Sequence, residues 1–231
     1  MGFHFQFQPV LARSDLLLEG LWLTLQLAAL GILGGALLGI LLAMSRGLGP
    51  RVTRWLIDCY VELIRNTPFL VQLLLIYFGL PSLGVKLNAE QAAVLGLVIY
   101  LGAYVTEIVR AGIDSVHRSQ IEAGLSLALS RWQVFRHIVL APAIARVWPA
   151  LASQFTLVML ATSVCSFISV QELSAQAANI ESDTFRSFET YIVVALVYLG
   201  LALLLRGLLA LLGAALFPAG SGLGRLRQAD R

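Results

Sequence analysis

Four ionisable side chains, Glu62, Arg65, Glu107 and Arg110, lie within long apolar stretches of the sequence. An ionisable group in a membrane span costs several kcal/mol unless it is paired or hydrated, so such groups usually mark a transport pathway. The spacing of three residues within each pair puts both side chains on one helical face. The alternative interpretation is a structural ion-pair network that joins the two spans.

Polar residues also surround Pro68, which interrupts the first of these stretches: Asn66 and Thr67 precede it and Gln72 follows it. A broken helix at membrane depth is tolerated only where the freed backbone groups face protein or a wet cavity. A small polar solute that binds at such a break needs hydrogen-bond donors and acceptors. We expect this break to supply both, together with hydroxyls of a later apolar stretch. Those hydroxyl candidates are Thr162, Ser163 and Ser166.

Motifs for catalysis give no support for an enzyme. A phosphate-cradling loop needs Gly-Lys followed by Ser or Thr, whereas the single lysine, Lys86, lies between Val85 and Leu87. The stretch GLSLA at 124–128 is one residue away from a nucleophile elbow, but that elbow needs a preceding strand and activating Asp and His residues. The three histidines have no metal-ligand spacing. We therefore expect neither a catalytic residue nor a metal site.

The composition predicts an all-α integral membrane protein, because 58% of the 231 residues are apolar and only 13% are charged. The net charge of +3 does not indicate a nucleic-acid partner, since the arginines lie mainly at span ends and in loops. Gly31, Gly35 and Gly39 sit four apart and predict close helix packing, although glycine is common in membrane helices anyway. Five spans are predicted, at residues 20–44, 52–80, 91–113, 147–170 and 190–217.

Loop charges predict the orientation of these spans. The loop at 115–146 carries four arginines against one glutamate and is assigned to the cytoplasm. The loop after the fourth span holds Glu172, Glu181, Asp183 and Glu189 against Arg186 alone, and is assigned to the outside. The N-terminus is therefore expected in the periplasm and the C-terminus in the cytoplasm.

The loop from His117 to Ile144 mixes charge with helical periodicity. Leu125, Leu129 and Trp132 recur at spacings of three and four, so short amphipathic helices there would present an apolar edge. Such an edge is expected to be covered by a partner.

This loop resembles the coupling loop of bacterial ABC importer permeases, whose Glu-Ala-Ala signature, later Gly and Ile-x-Leu-Pro sequence dock into the ATP-binding subunit. The matching stretches are EAG at 122–124, Ala128 and IVLA at 138–141. Two further stretches resemble hallmarks of the polar amino-acid uptake subfamily: RNTPFLVQL at 65–73, followed by IYFGLP, and YVTEIVR at 104–110. The resemblance covers roughly residues 20–212.

The resemblance implies a type I permease fold of five transmembrane helices and two groups of functional residues. One group couples to the ATP-binding subunit: Glu122, Ala123, Gly124, Leu125, Ala128, Leu129 and Trp132. The other lines the substrate pathway: Glu62, Arg65, Asn66, Thr67, Gln72, Tyr104, Glu107, Thr162, Ser163 and Ser166.

Departures from the family pattern carry a further expectation. Leu160 and Ala161 stand where the family usually has Lys-Asp, so we expect a second, non-identical permease subunit that carries the missing charges. Gly124 replaces the second Ala of the signature and Ala128 replaces a Gly. An alanine is strained at φ > 0, so Ala128 predicts either an altered loop or a helical conformation there.

These observations predict the permease subunit of a bacterial ATP-driven importer for polar amino acids in the inner membrane. It would form half of the pathway and work with ATP-binding subunits, which hold the ATP and Mg, and with a periplasmic solute-binding protein. The expected organisation is a periplasmic segment at 1–19, a permease domain at 20–217 and a flexible cytoplasmic tail at 218–231. The alternatives are an ATP-independent secondary transporter and an ABC permease for opines or other small cations.

Overall fold

The computed structural model describes residues 5–217, with the backbone alone at Arg131, and the predicted cytoplasmic tail lies outside this range. Every regular element in this part of the chain is helical, in the order α1 (Gln8–Leu11), α2 (Ser14–Leu48), α3 (Arg51–Arg65), α4 (Phe69–Leu74), α5 (Ala89–Asp114), α6 (Arg118–Ser126), α7 (Arg131–Gln133), α8 (Ala141–Ala161), α9 (Leu173–Thr184) and α10 (Ser187–Leu216). Between them, Leu75–Gly79 and Val134–Leu140 are π-helical, and Leu80–Leu83 and Thr162–Ile168 are 3₁₀-helical.

Up to five candidate membrane crossings are present within the described residues. Four are continuous helices long and apolar enough to span a bilayer: Ser14–Leu48, Ala89–Asp114, Val134–Ile168 and Ser187–Leu216. The fifth is the pair Arg51–Arg65 and Phe69–Leu83, which is bent by 108° at the break between them. The all-helical fold and the number of crossings agree with the prediction.

Helix α2 packs along α5 through its glycines. A Cβ atom at Gly35 would lie 2.6 Å from Leu101 Cβ, and one at Gly39 would lie 2.5 Å from Val105 Cβ. Even a methyl side chain is excluded at these two positions, so the backbones of α2 and α5 approach closely, as the four-residue glycine spacing predicts. Leu101 and Val105 are fully buried, which places α5 at the centre of the bundle.

Several helices begin earlier than the sequence predicts. Helix α2 starts at Ser14 rather than near Gly20, and the N-terminal segment before it packs on the bundle with Val10 fully buried. Helix α5 starts at Ala89 rather than at Gln91 because Asn88 and Gln91 form a capping box, with Gln91 N donating to Asn88 Oδ1 at 2.8 Å.

The fourth crossing shows the largest change in bounds. It was predicted to start near Val147, whereas helix begins at Arg131 and continues through the π-helical segment into α8. The connection between α5 and this helix is therefore short and consists mainly of α6. At the other end the crossing stops at Ile168, before the predicted Val170, because Ser169 takes a left-handed φ of 66°.

Helix α9 joins the fourth and fifth crossings and buries acidic side chains that the sequence suggests are exposed. Glu172 is fully buried; its Oε1 accepts from the Ser174 and Ala175 amides at the start of α9, and its Oε2 accepts from Tyr198 Oη at 2.6 Å. Glu189 is 1% exposed and accepts from the Gln6 amide. Two of the four acidic side chains in this region are therefore packed inside, whereas Asp183 stays exposed.

Candidate functional site

A polar cleft of about 570 Å³ lies between α2, α3 and α5. Charged residues dominate its lining, because the amphipathic helix α3 turns one face towards it. The lining residues are Arg46, Asp58, Cys59, Val61, Glu62, Arg65, Asn66, Tyr104, Glu107 and Arg110. Three arginines and three carboxylates are among them, so their formal charges cancel.

Ion pairs connect the three helices around this cleft. Arg46 at the end of α2 binds Asp58 of α3, with Nε 2.6 Å from Oδ1. Arg65 of α3 reaches Glu107 of α5 at 3.7 Å. Arg110 binds Glu107 through both carboxylate oxygens and Asp114 at 3.3 Å. A structural ion-pair network, the alternative raised by the sequence, therefore exists, but it does not include every charge.

Glu62 is the exception among the charged groups of the cleft. Its side chain is exposed to the cleft, and among the side chains that the structure describes it makes no ion pair. Arg65 lies one turn further along the same face, a separation of about 5–6 Å between Cβ atoms. The guanidinium of Arg65 is held in place by Glu107 and by the ring of Tyr104, whose centroid is 5.5 Å from Cζ. An open acceptor and a fixed donor therefore lie side by side.

The polar residues at the helix break lie next to the pair of Glu62 and Arg65. Asn66 Nδ2 donates to the Glu62 carbonyl at 2.8 Å, and Thr67 Oγ1 donates to the Leu63 carbonyl at 2.8 Å. Gln72 is buried behind the break and is not among the residues that line the cleft. Asn66 thus reaches the cleft, whereas Thr67 and Gln72 act on the backbone.

The three hydroxyl candidates of the fourth crossing lie elsewhere. Thr162 is buried and donates to the Met159 carbonyl at 2.6 Å. Ser163 and Ser166 each donate to a carbonyl three residues earlier, at 2.8 Å. Each hydroxyl hydrogen is therefore used on a carbonyl of the same crossing, and none of the three residues belongs to the cleft lining.

Some cleft residues were not among the predicted pathway residues. Arg110 was raised as one of the four ionisable candidates but was not placed in the predicted pathway set. Helical spacing also places Asp58 on the same face as Glu62, so that signal could have included it. Arg46 and Cys59 carry no such signal, because Arg46 belongs to a different helix and reaches the cleft only through the packing of α2 on α3.

Helix α6 presents the residues predicted to couple to an ATP-binding subunit. Glu122, Ala123 and Leu125 are exposed on it, and Trp132 is 48% exposed just beyond it. Gly124 faces the opposite way: a Cβ there would collide with Ile138 of the fourth crossing. Leu129 is half-buried and packs with the small core around Val134 and Phe135, so it does not share the exposed edge.

Ala128 adopts a glycine-like turn, so the helical conformation, one of the two alternatives expected from the sequence, is wrong. Its φ is 59°, in the left-handed region. Ala128 N donates to the Leu125 carbonyl and Leu129 N to the Gly124 carbonyl, at 3.0 and 3.3 Å. These two bonds form the Schellman motif that ends many helices.

Comparison with known protein families and sequences gives consistent matches. Residues 35–217 match the family described as binding-protein-dependent transport system inner membrane component. The glutamine transport system permease protein of Escherichia coli (strain K12) is 36% identical over 203 residues, which cover 87% of this chain and 93% of that protein. The probable glutamine ABC transporter permease protein of Bacillus subtilis (strain 168) is 37% identical over 186 residues, 80% and 86% of the two chains.

Solved structures match along almost the whole chain. An amino acid ABC transporter crystallised with histidines gives a TM-score of 0.84 at 35% identity and covers 92% of this chain and 100% of that one. A methionine ABC transporter in an inward-facing conformation gives 0.73 at 18% identity, covering 89% and 98%, and supports the fold alone.

Proposed function

Because the chain belongs to the family of binding-protein-dependent transport system inner membrane components, we propose that it is the permease subunit of an ATP-driven importer for polar amino acids. Its relatives are transport permeases rather than enzymes, and the chain is a multi-pass inner-membrane protein. The observation that carries the proposed substrate class is the pair of Glu62 and Arg65 in a cleft whose other charges are paired.

The cleft chemistry suits the backbone groups of a free amino acid. The Glu62 carboxylate can accept from the ammonium group, and Arg65 keeps donors that Glu107 does not use, because a guanidinium carries five N–H groups. One helical turn separates the two residues on the same face, so both head groups can reach one small ligand. Asn66 adds an amide beside them.

Charge balance favours amino acids whose side chains are uncharged. The three arginines and three carboxylates of the cleft cancel, so a net-neutral zwitterion leaves the site neutral. A cationic side chain would bring an extra charge for which the cleft holds no further unpaired carboxylate, and desolvating an unpaired charge is costly. Relatives named for glutamine transport are consistent with this choice.

Energy would enter through α6. Its exposed apolar edge includes Leu125 at 44% and Leu127 at 75% exposure, beside Trp132, and a groove on an ATP-binding subunit would bury this edge. ATP and Mg would be bound by that partner. A periplasmic solute-binding protein would deliver the substrate. A second, non-identical permease would complete the pathway and supply the Lys and Asp charges that are absent at Leu160 and Ala161.

The native thiol at Cys59 allows a direct test of the substrate site. Cys59 lines the cleft and is exposed, whereas Cys165 is buried, so a small polar maleimide should label one position. In the reconstituted transporter with its ATP-binding subunit, L-glutamine should slow this labelling and L-arginine should do so less. Glu62→Gln should raise the KM of ATP-dependent uptake about tenfold or more, the usual worth of a charge-assisted hydrogen bond.

Glu90→Gln serves as the matched control, because Glu90 is an exposed carboxylate in the first turn of α5, outside the cleft. Labelling that is indifferent to every amino acid, or uptake that continues without ATP, would count against the proposal.

A further inference from the structure

The helix break at Pro68 leaves backbone carbonyl groups without their usual donors. In a continuous helix the Ile64 carbonyl would accept from the amide of residue 68, but proline has no N–H. The amides of Val71 and Gln72 both bond to the Pro68 carbonyl, so the Thr67 carbonyl receives neither. Unpaired carbonyl groups are costly in a membrane protein, and a break needs another source of donors.

Gln72 supplies those donors from the first turns of α4. Its Nε2 lies 2.8 Å from the Ile64 carbonyl, 3.1 Å from the Thr67 carbonyl and 2.7 Å from Thr67 Oγ1. The amide orientation follows from these contacts, because the reversed orientation would set Oε1 against two carbonyl oxygens. The side chain thus connects the end of α3, the break and α4.

The same contacts remove Gln72 from direct contact with substrate. The residue is 8% exposed, and its Oε1 is buried without a hydrogen-bond partner among the described residues. Both hydrogens of Nε2 are directed at the break, while the cleft is lined by Glu62, Arg65 and Asn66 on the other side of it. Any effect of Gln72 on transport must therefore pass through the backbone that carries those three residues.

We infer that Gln72 is a positioning residue that locks the 108° bend between α3 and α4 and thereby sets where Glu62, Arg65 and Asn66 stand in the cleft. This inference rests on the proposed function only for its transport consequence. The structural part, that loss of the Gln72 donors loosens the bend, holds whatever the protein transports.

The experiment measures the bend and transport in the same assembly. Spin labels are attached to Trp55→Cys on α3 and Leu83→Cys beyond α4 in a Cys59→Ser background. The two native side chains are 64% and 78% exposed. Electron–electron double resonance on the reconstituted transporter should give one narrow distance distribution for the parent. Gln72→Met, which keeps the length of the side chain but has no donor, should broaden or shift that distribution and raise the KM for L-glutamine at least fivefold.

Gln154→Met is the matched control, because Gln154 is equally buried at 8% exposure but lies in the fourth crossing, away from the break. It should leave the distance distribution as in the parent. Since Gln72→Met could impair folding, Thr67→Val provides a second variant: it removes one partner of Gln72 at nearly constant volume. Its effect on KM should be smaller and should not add to that of Gln72→Met, because both act on one network.

A raised KM with an unchanged distance distribution would overturn the inference and make Gln72 a direct ligand. Additive effects of the two variants, or an unchanged distance together with an unchanged KM, would overturn it as well. Should the parent fail to transport any amino acid, the proposed function fails, whereas the distance measurement still decides whether Gln72 holds the bend.

Discussion

Ala128 carries the backbone conformation of a glycine at the end of α6. With φ at 59° it occupies the left-handed region, where an L-residue with a Cβ costs about 1–2 kcal/mol. The Schellman bonds to Gly124 and Leu125 hold it there. The neighbouring substitution has the opposite character, since Gly124 gives Ile138 the room that an alanine would occupy. One departure from the family pattern thus improves the packing of α6, and the other strains its end.

The strain at Ala128 predicts that Ala128→Gly stabilises the end of α6. Relief of the left-handed conformation, partly offset by the greater freedom of glycine in the unfolded chain, should leave a gain of about 0.5–1 kcal/mol. Amide hydrogen exchange at Leu129, whose N–H bonds to Gly124, should slow by about two- to fivefold. The matched control is Ala123→Gly inside α6, which should speed exchange because glycine weakens a helix interior. Equal exchange in both variants would argue against a strained turn.

The buried carboxyl group of Glu172 should make the stability of the region around α9 depend on pH. Burial raises the pKa of its carboxyl group above the usual value, although hydrogen bonds from Tyr198, Ser174 and Ala175 oppose this effect. A carboxyl whose folded pKa is raised contributes stability that is complete below its unfolded pKa of about 4.3, and that is lost as the pH rises through the folded value.

The region around α9 should therefore open more readily as the pH increases above about 4.3, until the folded pKa is passed. Amide exchange along α9, corrected for the intrinsic pH effect, measures this opening. Glu172→Gln should remove the dependence, because the amide stays neutral and keeps an oxygen for the Ser174 and Ala175 amides. Glu181→Gln is the control at a partly exposed site, and it should leave the dependence of α9 on pH above 4.3 in place.

At the scale of elements, the glycines of α2 decide how close α5 can come. Over half of the residues in the most apolar stretch of α5 are buried, compared with 11% of those in the most apolar stretch of α10. Helix α5 is therefore the one around which the others pack. The bent pair α3 and α4 packs against α5, and α3 forms one wall of the cleft. The cleft therefore depends on a firm α2–α5 contact at one wall and on the locked break at the other.

Gly35→Ala should destabilise this contact by about 1–3 kcal/mol, the usual cost of overpacking, because its Cβ would lie 2.6 Å from that of Leu101. Gly47→Ala, in the same helix with nothing within 4 Å of the new Cβ, should be neutral or stabilising. Thermal aggregation of the purified protein in detergent should begin at a lower temperature for Gly35→Ala and at an unchanged or higher temperature for Gly47→Ala. A similar shift for both would mean that α2 and α5 are not in close contact.

At the scale of the whole molecule, the position of the cleft relative to α6 bears on the proposed transport cycle. The cleft opens beside Arg46 and Arg110, near the same end of the bundle as α6. If α6 faces the cytoplasm, this cleft is accessible from the cytoplasmic side. The orientation of the chain in the membrane therefore decides whether the cleft opens to the cytoplasm or to the periplasm.

The charge distribution predicts that the loop before α5 faces the periplasm and α6 the cytoplasm. Lys86→Cys and Arg118→Cys, both at exposed positions, report on these two sides in a Cys59→Ser background. An impermeant maleimide should label the first in right-side-out vesicles and the second only in inverted vesicles. The parent Cys59→Ser should remain unlabelled, because Cys165 is buried. The reverse pattern would place α6 outside and remove its role with an ATP-binding subunit.

The sequence by itself determined the membrane class, the five crossings, the break at Pro68 and the glycine face of α2. These features depend on local chemistry: apolar length, the missing N–H of proline, and the absence of a side chain at every fourth position. Helical periodicity also predicted that Glu62 and Arg65 share one face, because it fixes angles around a single axis.

Only the tertiary structure decided which faces meet. Arg46 enters the cleft from a different helix, the span-four hydroxyls bond to their own turn, and Gln72 lies behind the break rather than in the cleft. None of this follows from periodicity, since the angle of a residue around its own helix says nothing about which helix lies opposite. The 108° bend at Pro68 is bridged by the hydrogen bond from Gln72 to the Ile64 carbonyl, and such a contact between two helices cannot be read from the pattern of either one.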